Sequence, residues 1–249
     1  QMTPLLYPDV KHFSLSEILP AMTYSQKYKL DAGKLVSDER KGDFSLTAKY
    51  GLTSDLILDG TYNPDFSQVE ADAGQVDVNL RYALYYPEKR PFFLEGSEIY
   101  NVAATQMSAI DPVVSVVHTR MMANPLVGAK LSGKIDAKTT IACLYVVDEV
   151  PSDETALHGD FSHFPILRYK RSLTQDSYLG AIYAGRELED HFNRVLGVDG
   201  MLRVTPASMF QFNGLYSTTK TDAASGQTPG HTIGVNYGYG TRDLDYSLS

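Results

Sequence analysis

Phe44-Ser-Leu-Thr-Ala-Lys-Tyr50 and Leu56-Ile-Leu-Asp-Gly-Thr-Tyr62, parted by a break at residues 51–55, decide the fold. Phe44, Leu46, Ala48 and Tyr50 fall on one side of an extended chain, and Ser45, Thr47 and Lys49 fall on the other. In the second run Leu56, Leu58, Gly60 and Tyr62 alternate with Ile57, Asp59 and Thr61. A period of two marks a strand with two unlike faces, and two such runs around a turn read as a hairpin. Val76, Val78, Leu80, Tyr82, Leu84 and Tyr86 repeat the pattern against Asp77, Asn79, Arg81, Ala83 and Tyr85. From Leu126 onward the rhythm becomes a meander, with strands predicted near 126–135, 139–149, 163–173, 176–187, 193–204, 208–219, 231–240 and 242–249. Residues 14–22 read as a brief turn before Pro20, and no convincing helix is visible.

Composition agrees. The 249 residues include 17 Tyr, 10 Phe and 19 Gly, which suit pleated surfaces and tight turns. Lys plus Arg is 22 against 30 for Asp plus Glu, a net charge of -8, which argues against nucleic acid as a partner. The longest apolar runs, around 112–117 and 141–147, fall far short of the ~18 residues of a membrane-crossing helix. A β-barrel escapes that test, because each of its strands needs only ~10 alternating residues. Cys143 is the single cysteine and sits in a strand pattern, so neither a disulfide framework nor a cysteine-rich zinc site is expected within the chain. No export signal is visible at the first residues.

The links carry further information. Those at 136–138, 174–176, 205–207 and 241–242 are short, and they alternate with longer ones at 149–161, 187–192 and 220–230. Short turns at one end and longer, polar loops at the other are the habit of a transmembrane barrel. A soluble sandwich or a lipocalin-like barrel shows the same period, because alternation alone does not say whether the apolar face meets lipid or a core.

Two stretches are odd for plain strands: Asn63-Pro-Asp-Phe-Ser-Gln-Val-Glu-Ala-Asp72 and Pro87-Glu-Lys-Arg-Pro-Phe-Phe-Leu-Glu-Gly96. Pro64, Pro87 and Pro91 cannot donate to a ladder and break or edge the sheet there. Asn63, Asp65, Gln68, Glu70, Asp72, Glu88, Lys89, Arg90 and Glu95 are the candidate ligand or lumen residues. Asp65, Glu70 and Asp72 have oxygen donors for a hard cation, but their spacing is not that of an EF-hand, and no metal or other cofactor is expected. Glu70 with Glu95 would be the pair for glycoside hydrolysis, a chemistry that needs a defined carboxylate separation. The bland reading, hydrogen-bonded polar groups in a barrel lumen or at its rim, is preferred. Ser217-Thr-Thr-Lys220 lacks the partner motifs of a serine acyltransferase, and His158 and His163 around Asp160 read as solvated loop.

These two stretches, with Tyr50-Gly-Leu-Thr-Ser-Asp55 before them, resemble a family of uncharacterised outer-membrane β-barrel proteins. Val127-Gly-Ala-Lys-Leu-Ser-Gly133, Phe192-Asn-Arg-Val-Leu-Gly197 and Ile233-Gly-Val-Asn-Tyr237 are similar to its strands, so the resemblance runs over residues 24–249. In that family the barrel usually follows a family-9-like carbohydrate-binding module. The resemblance implies an outer-membrane location, the lipid bilayer as partner and, through the module, polysaccharide. It also implies that the chain is a fragment whose barrel is incomplete. The expectation is therefore an all-β, up-and-down antiparallel meander: a lead-in with a first strand at 1–41, and part of a transmembrane barrel at 42–249. Its role would be a non-enzymatic pore, anchor or transport scaffold. The second reading is a glycan-binding or glycan-hydrolysing protein using Glu70 and Glu95, with Asp72 and Glu88 beside them. The third is a soluble adhesive β-sandwich.

Overall fold

In the computed structural model the chain forms a single antiparallel sheet in which eleven strands follow one another in sequence order. The structure describes residues 15–31, 34–64, 88–105, 113, 115–122, 124–150, 161–189, 191–221 and 226–248. The strands are β1 (Ser16–Asp31), β2 (Lys34–Gly51), β3 (Leu56–Tyr62), β4 (Pro125–Lys134), β5 (Thr139–Glu149), β6 (Phe161–Thr174), β7 (Ser177–Leu188), β8 (His191–Thr205), β9 (Ser208–Lys220), β10 (Thr228–Gly240) and β11 (Asp245–Leu248). The meander and the hairpin at 44–62 stand as the alternation predicts. Among the described residues β1 and β11 are the two edges, so the sheet is not closed. The strand expected over 76–86 lies outside the described residues.

Three expectations are corrected. Residues 16–22, read as part of a brief turn, belong to β1, where Pro20 pairs with Leu46 of β2. β1 is an edge strand, where a residue without an N–H costs least, although the interior strand β6 also carries Pro165, opposite Tyr145. The link at 187–192 is no loop: β7 ends at Leu188 and β8 begins at His191. Glu189 adopts a φ of 45°, the left-handed value that closes a tight turn. Link lengths therefore do not strictly alternate, although 135–138, 175–176, 206–207 and 241–244, at one end, are all short. Finally, a short helix does exist, α1 (Pro91–Leu94), with Pro91 in its first turn, where a missing N–H costs nothing. Two 3-10 turns follow, at Ser97–Tyr100 and Thr119–Met121.

The short turns are built by side chains that replace missing backbone partners. Asp136 Oδ1 accepts the N–H groups of Lys138 at 2.7 Å and Thr139 at 2.9 Å. Those bonds, that of Lys138 foremost, hold its carboxyl below the ordinary range. Thr241 Oγ1 accepts the Leu244 N–H at 3.1 Å in the same way.

Register makes the two faces of the sheet unlike. One rung runs Tyr50, Leu58, Leu131, Cys143, Leu167, Tyr183, Leu196, Tyr216 across β2 to β9. Leu167, Leu196 and Tyr216 on it are 51%, 60% and 52% exposed. The neighbouring rung runs Lys49, Asp59, Lys130, Leu144, Ile166, Ala184, Val195, on the opposite face. This second face is covered by a strap, residues 88–105, together with residues 115–122. Phe92, Phe93, Tyr100 and Met122 pack there against Ala142, Leu144, Val146, Phe164 and Ile166. Val102 packs beside Ile182 and Leu215. Phe92 and Phe93 meet edge to face at 5.1 Å, and each buried ring contributes roughly 1.5–3 kcal/mol through removal from water.

This packing separates two neighbours on α1. Phe93 is buried and Leu94 is exposed. Phe93→Ala is expected to destabilise the refolded chain by about 3–5 kcal/mol in urea unfolding, and Leu94→Ala by no more than about 0.5 kcal/mol. Equal responses would mean that α1 does not dock on the sheet.

Candidate functional site on the covered face of the sheet

The alternation that exposes apolar residues on one face turns the polar ones inward, under the strap. Three sets of side chains meet the strap there. On β3 and β4, Lys130 Nζ lies 3.2 Å from Asp59 Oδ2, and both side chains are almost wholly buried. The same ammonium donates to the carbonyls of Phe92 and Glu95, at 2.8 Å each. These carbonyls sit where α1 ends, and helix ends leave acceptors unfilled. Lys49 on β2 pairs with the Glu95 carboxylate.

On β6 and β8, Arg168 and Asp199 form a two-pronged pair, Nη1 to Oδ1 at 2.6 Å and Nη2 to Oδ2 at 2.9 Å, with neither side chain exposed. Two further donors of the guanidinium go to strap carbonyls, Ile99 at 3.2 Å and Asn101 at 2.9 Å. Asp199 Oδ2 also accepts the Ala103 N–H at 3.0 Å and the Tyr178 O–H at 2.9 Å. On β9, Asn213 donates to the carbonyls of Ala103 at 2.8 Å and Ala104 at 2.9 Å, and Gln211 accepts the Ala104 N–H at 3.3 Å. Space for this comes from glycines. A Cβ on Gly180 would lie 2.5 Å from Asp199 Oδ1, and one on Gly234 would lie 2.8 Å from the Ala104 carbonyl.

The third set lies within the covering segment. Arg90 meets Glu88 through Nε at 2.8 Å and Nη2 at 2.7 Å, and donates to the carbonyls of Met122 and Thr119 at 2.6 and 2.7 Å. Its guanidinium also lies 4.2 Å from the centre of the Phe93 ring. Burial by itself would raise the Glu88 carboxyl. The hydrogen bonds from Arg90 and Thr119 outweigh that and hold it down at about 2.

The sequence candidates divide accordingly. Glu88, Arg90 and Glu95 belong to this network, and the backbone N–H of Lys89 donates to Glu88 at 3.0 Å. Asn63 stands apart at the end of β3, with a φ of 42° and its amide donating to the Phe44 carbonyl at 2.9 Å. That is a strand cap, suited to a residue that tolerates the left-handed region. Asp65, Gln68, Glu70 and Asp72 lie outside the described residues, and so do His158 and Asp160. Asp59, Lys130, Arg168, Asp199, Gln211 and Asn213 escaped the sequence reading. Their one signal is a charge or amide on the polar side of a strand rich in glycine, as in Gly197-Val-Asp-Gly200. Chemically, the arrangement grips main chain, and its charges are committed to one another and to strap carbonyls.

A buried pair that loses one partner leaves the other charged and alone. Arg168→Met and Asp199→Asn are each expected to cost about 3–5 kcal/mol in unfolding, and the double variant less than the sum. Strict additivity would show that the two groups do not couple. For Glu88 the sign follows from its depressed value: its contribution is full above its ordinary value of 4.5 and lost as pH falls toward about 2. Cleavage of the strap by pepsin should rise over that interval in the native chain and stay flat in Glu88→Gln. Identical profiles would mean that Glu88 does not hold the strap.

Residues 19–107 match the family described as a domain of unknown function, DUF5916. The match takes in most of β1, all of β2 and β3, and the whole strap. No curated protein matches the chain.

Proposed function

We propose that the chain forms part of an outer-membrane β-barrel, a non-enzymatic pore, anchor or transport scaffold whose covered face is the lumen side. The observation that supports this reading is the inverted polarity of the sheet. Ile18, Leu58, Leu167, Leu196, Val198, Ile233 and Val235 are exposed on the bare face, while Asp59, Lys130, Arg168, Asp199, Asn213 and Asn236 are buried on the other or within its ladder. A soluble sandwich buries its apolar face and solvates its polar one. Lipid reverses the preference, because it welcomes the apolar side chains and drives polar groups to the interior. The up-and-down order and the uniformly short turns at one end suit the same architecture. In this reading the strap narrows the lumen on the β4–β9 side, so passage is restricted. Handling of glycans would need a carbohydrate-binding module of the kind the resemblance implies.

The test is fractionation of the full gene product, with protease applied to intact cells. Recovery in the outer membrane, heat-modifiable gel migration and cleavage within 149–161 and 220–230, with the turns at 135–138 and 206–207 protected, are the expected results. A detergent-independent soluble protein cut at both ends of the sheet would overturn the proposal.

A further inference from the structure

The strap is fastened in two ways along its length. From Phe92 to Asn101 it is held by charge and by rings. Phe92, Phe93 and Tyr100 are buried in the core of the covered face, Lys130 holds the carbonyls of Phe92 and Glu95, and Arg168 holds those of Ile99 and Asn101. Val102 still packs against Ile182 and Leu215. Beyond it the grip changes. Ala104 is held by two neutral amides of β9, Asn213 donating to its carbonyl at 2.9 Å and Gln211 accepting its N–H at 3.3 Å. Ala103 shares the Asn213 amide and adds one bond, to Asp199. Bonds between neutral groups are roughly half as strong as those to a charge.

We propose that residues 103–105 form a latch with a shut and an open position, hinged at Asn101 and Val102. In the open position the turn lifts from β9 and β10, and the amides of Gln211 and Asn213 bind water in its place. Three features support this. Ala104 has a φ of 53°, in the left-handed region that alanine enters only under strain, and release relieves it. The turn is closed on itself, with Thr105 Oγ1 donating to the Val102 carbonyl at 2.8 Å, so it shifts as one body. Release strands no charge, because Asp199 gives up the Ala103 N–H and keeps both prongs of Arg168 and the Tyr178 hydroxyl. The shut seat is also tight. A Cβ on Gly234 of β10 would lie 2.8 Å from the Ala104 carbonyl and 2.6 Å from the Asn213 amide nitrogen. That the latch widens a passage rests on the barrel reading; that it opens does not.

The experiment is thiol labelling of the full gene product in detergent, with Cys143→Ser and one new cysteine at Ala103, which is 8% exposed. Val146→Cys, wholly buried under the anchored part of the strap, is the control. With iodoacetamide, Ala103→Cys is expected to react at least tenfold faster than Val146→Cys. Ala104→Gly removes the strain of the shut position and should slow that reaction at least threefold. Gly234→Ala crowds the seat and should speed it at least tenfold; Gln211→Leu takes its place should that variant fail to fold. None of these changes should move the rate at Val146→Cys. Equal rates at the two cysteines overturn the proposal, and so does faster reaction in Ala104→Gly. Conductance across planar bilayers is measured on the same variants. Labelling in the expected order without conductance keeps the latch and removes the pore, whereas conductance with equal labelling keeps the pore and removes the latch.

Discussion

Everything on the covered face depends on one requirement: Arg168 and Asp199 lie out of water and need hydrogen-bond partners beyond each other. The pair alone does not achieve this. Five guanidinium protons and four carboxylate lone pairs outnumber the two bonds the partners make with each other. Two more of the guanidinium protons go to the carbonyls of Ile99 and Asn101, and the carboxylate gains the Ala103 N–H and the Tyr178 hydroxyl. The strap is therefore the solvent of this pair, and the pair is the reason the strap lies where it does. Lys130 repeats the logic two strands away, with Asp59 and the carbonyls of Phe92 and Glu95.

The same requirement explains why the polar side of the sheet is the buried one. Side chains such as Asp199 and Asn213 are costly to bury against hydrocarbon and tolerable against peptide groups. A segment that arrives with free carbonyls turns a polar face into a dry interface. Apolar packing of Phe92, Phe93 and Met122 then closes the gaps between the polar anchors. The bare face, mostly Leu, Val, Ile and Tyr, needs no such device, and its polar groups pair with one another, as Arg194 does with Glu187 and the Tyr145 hydroxyl with His163.

How much of this was legible in the residues is uneven. The strands were, because a period of two is written directly in runs such as Phe44 to Tyr50 and Leu56 to Tyr62. β1 was hidden by Pro20, which reads as a break although strands of this sheet accept proline, as β6 accepts Pro165. The tight turn after β7 was hidden because Glu189 is not a usual left-handed residue. In the site, Glu88, Arg90 and Glu95 were visible as a dense charge run beside prolines. Arg168, Asp199 and Asn213 were not, because their partners in the strap are backbone atoms 67 to 110 positions away, which have no letter in the sequence, and Arg168 and Asp199 themselves stand 31 positions apart.

The strap precedes β4 to β9 in the chain and touches side chains on four of them, Lys130 on β4, Arg168 on β6, Asp199 on β8 and Asn213 on β9. During synthesis the brace thus emerges before the wall that it braces. Each later strand can be checked as it arrives, since a register slip of one residue turns its anchor to the wrong side and leaves a strap carbonyl empty. The segment serves as a ruler for assembly, fixing register at intervals where hairpin turns alone would let errors accumulate.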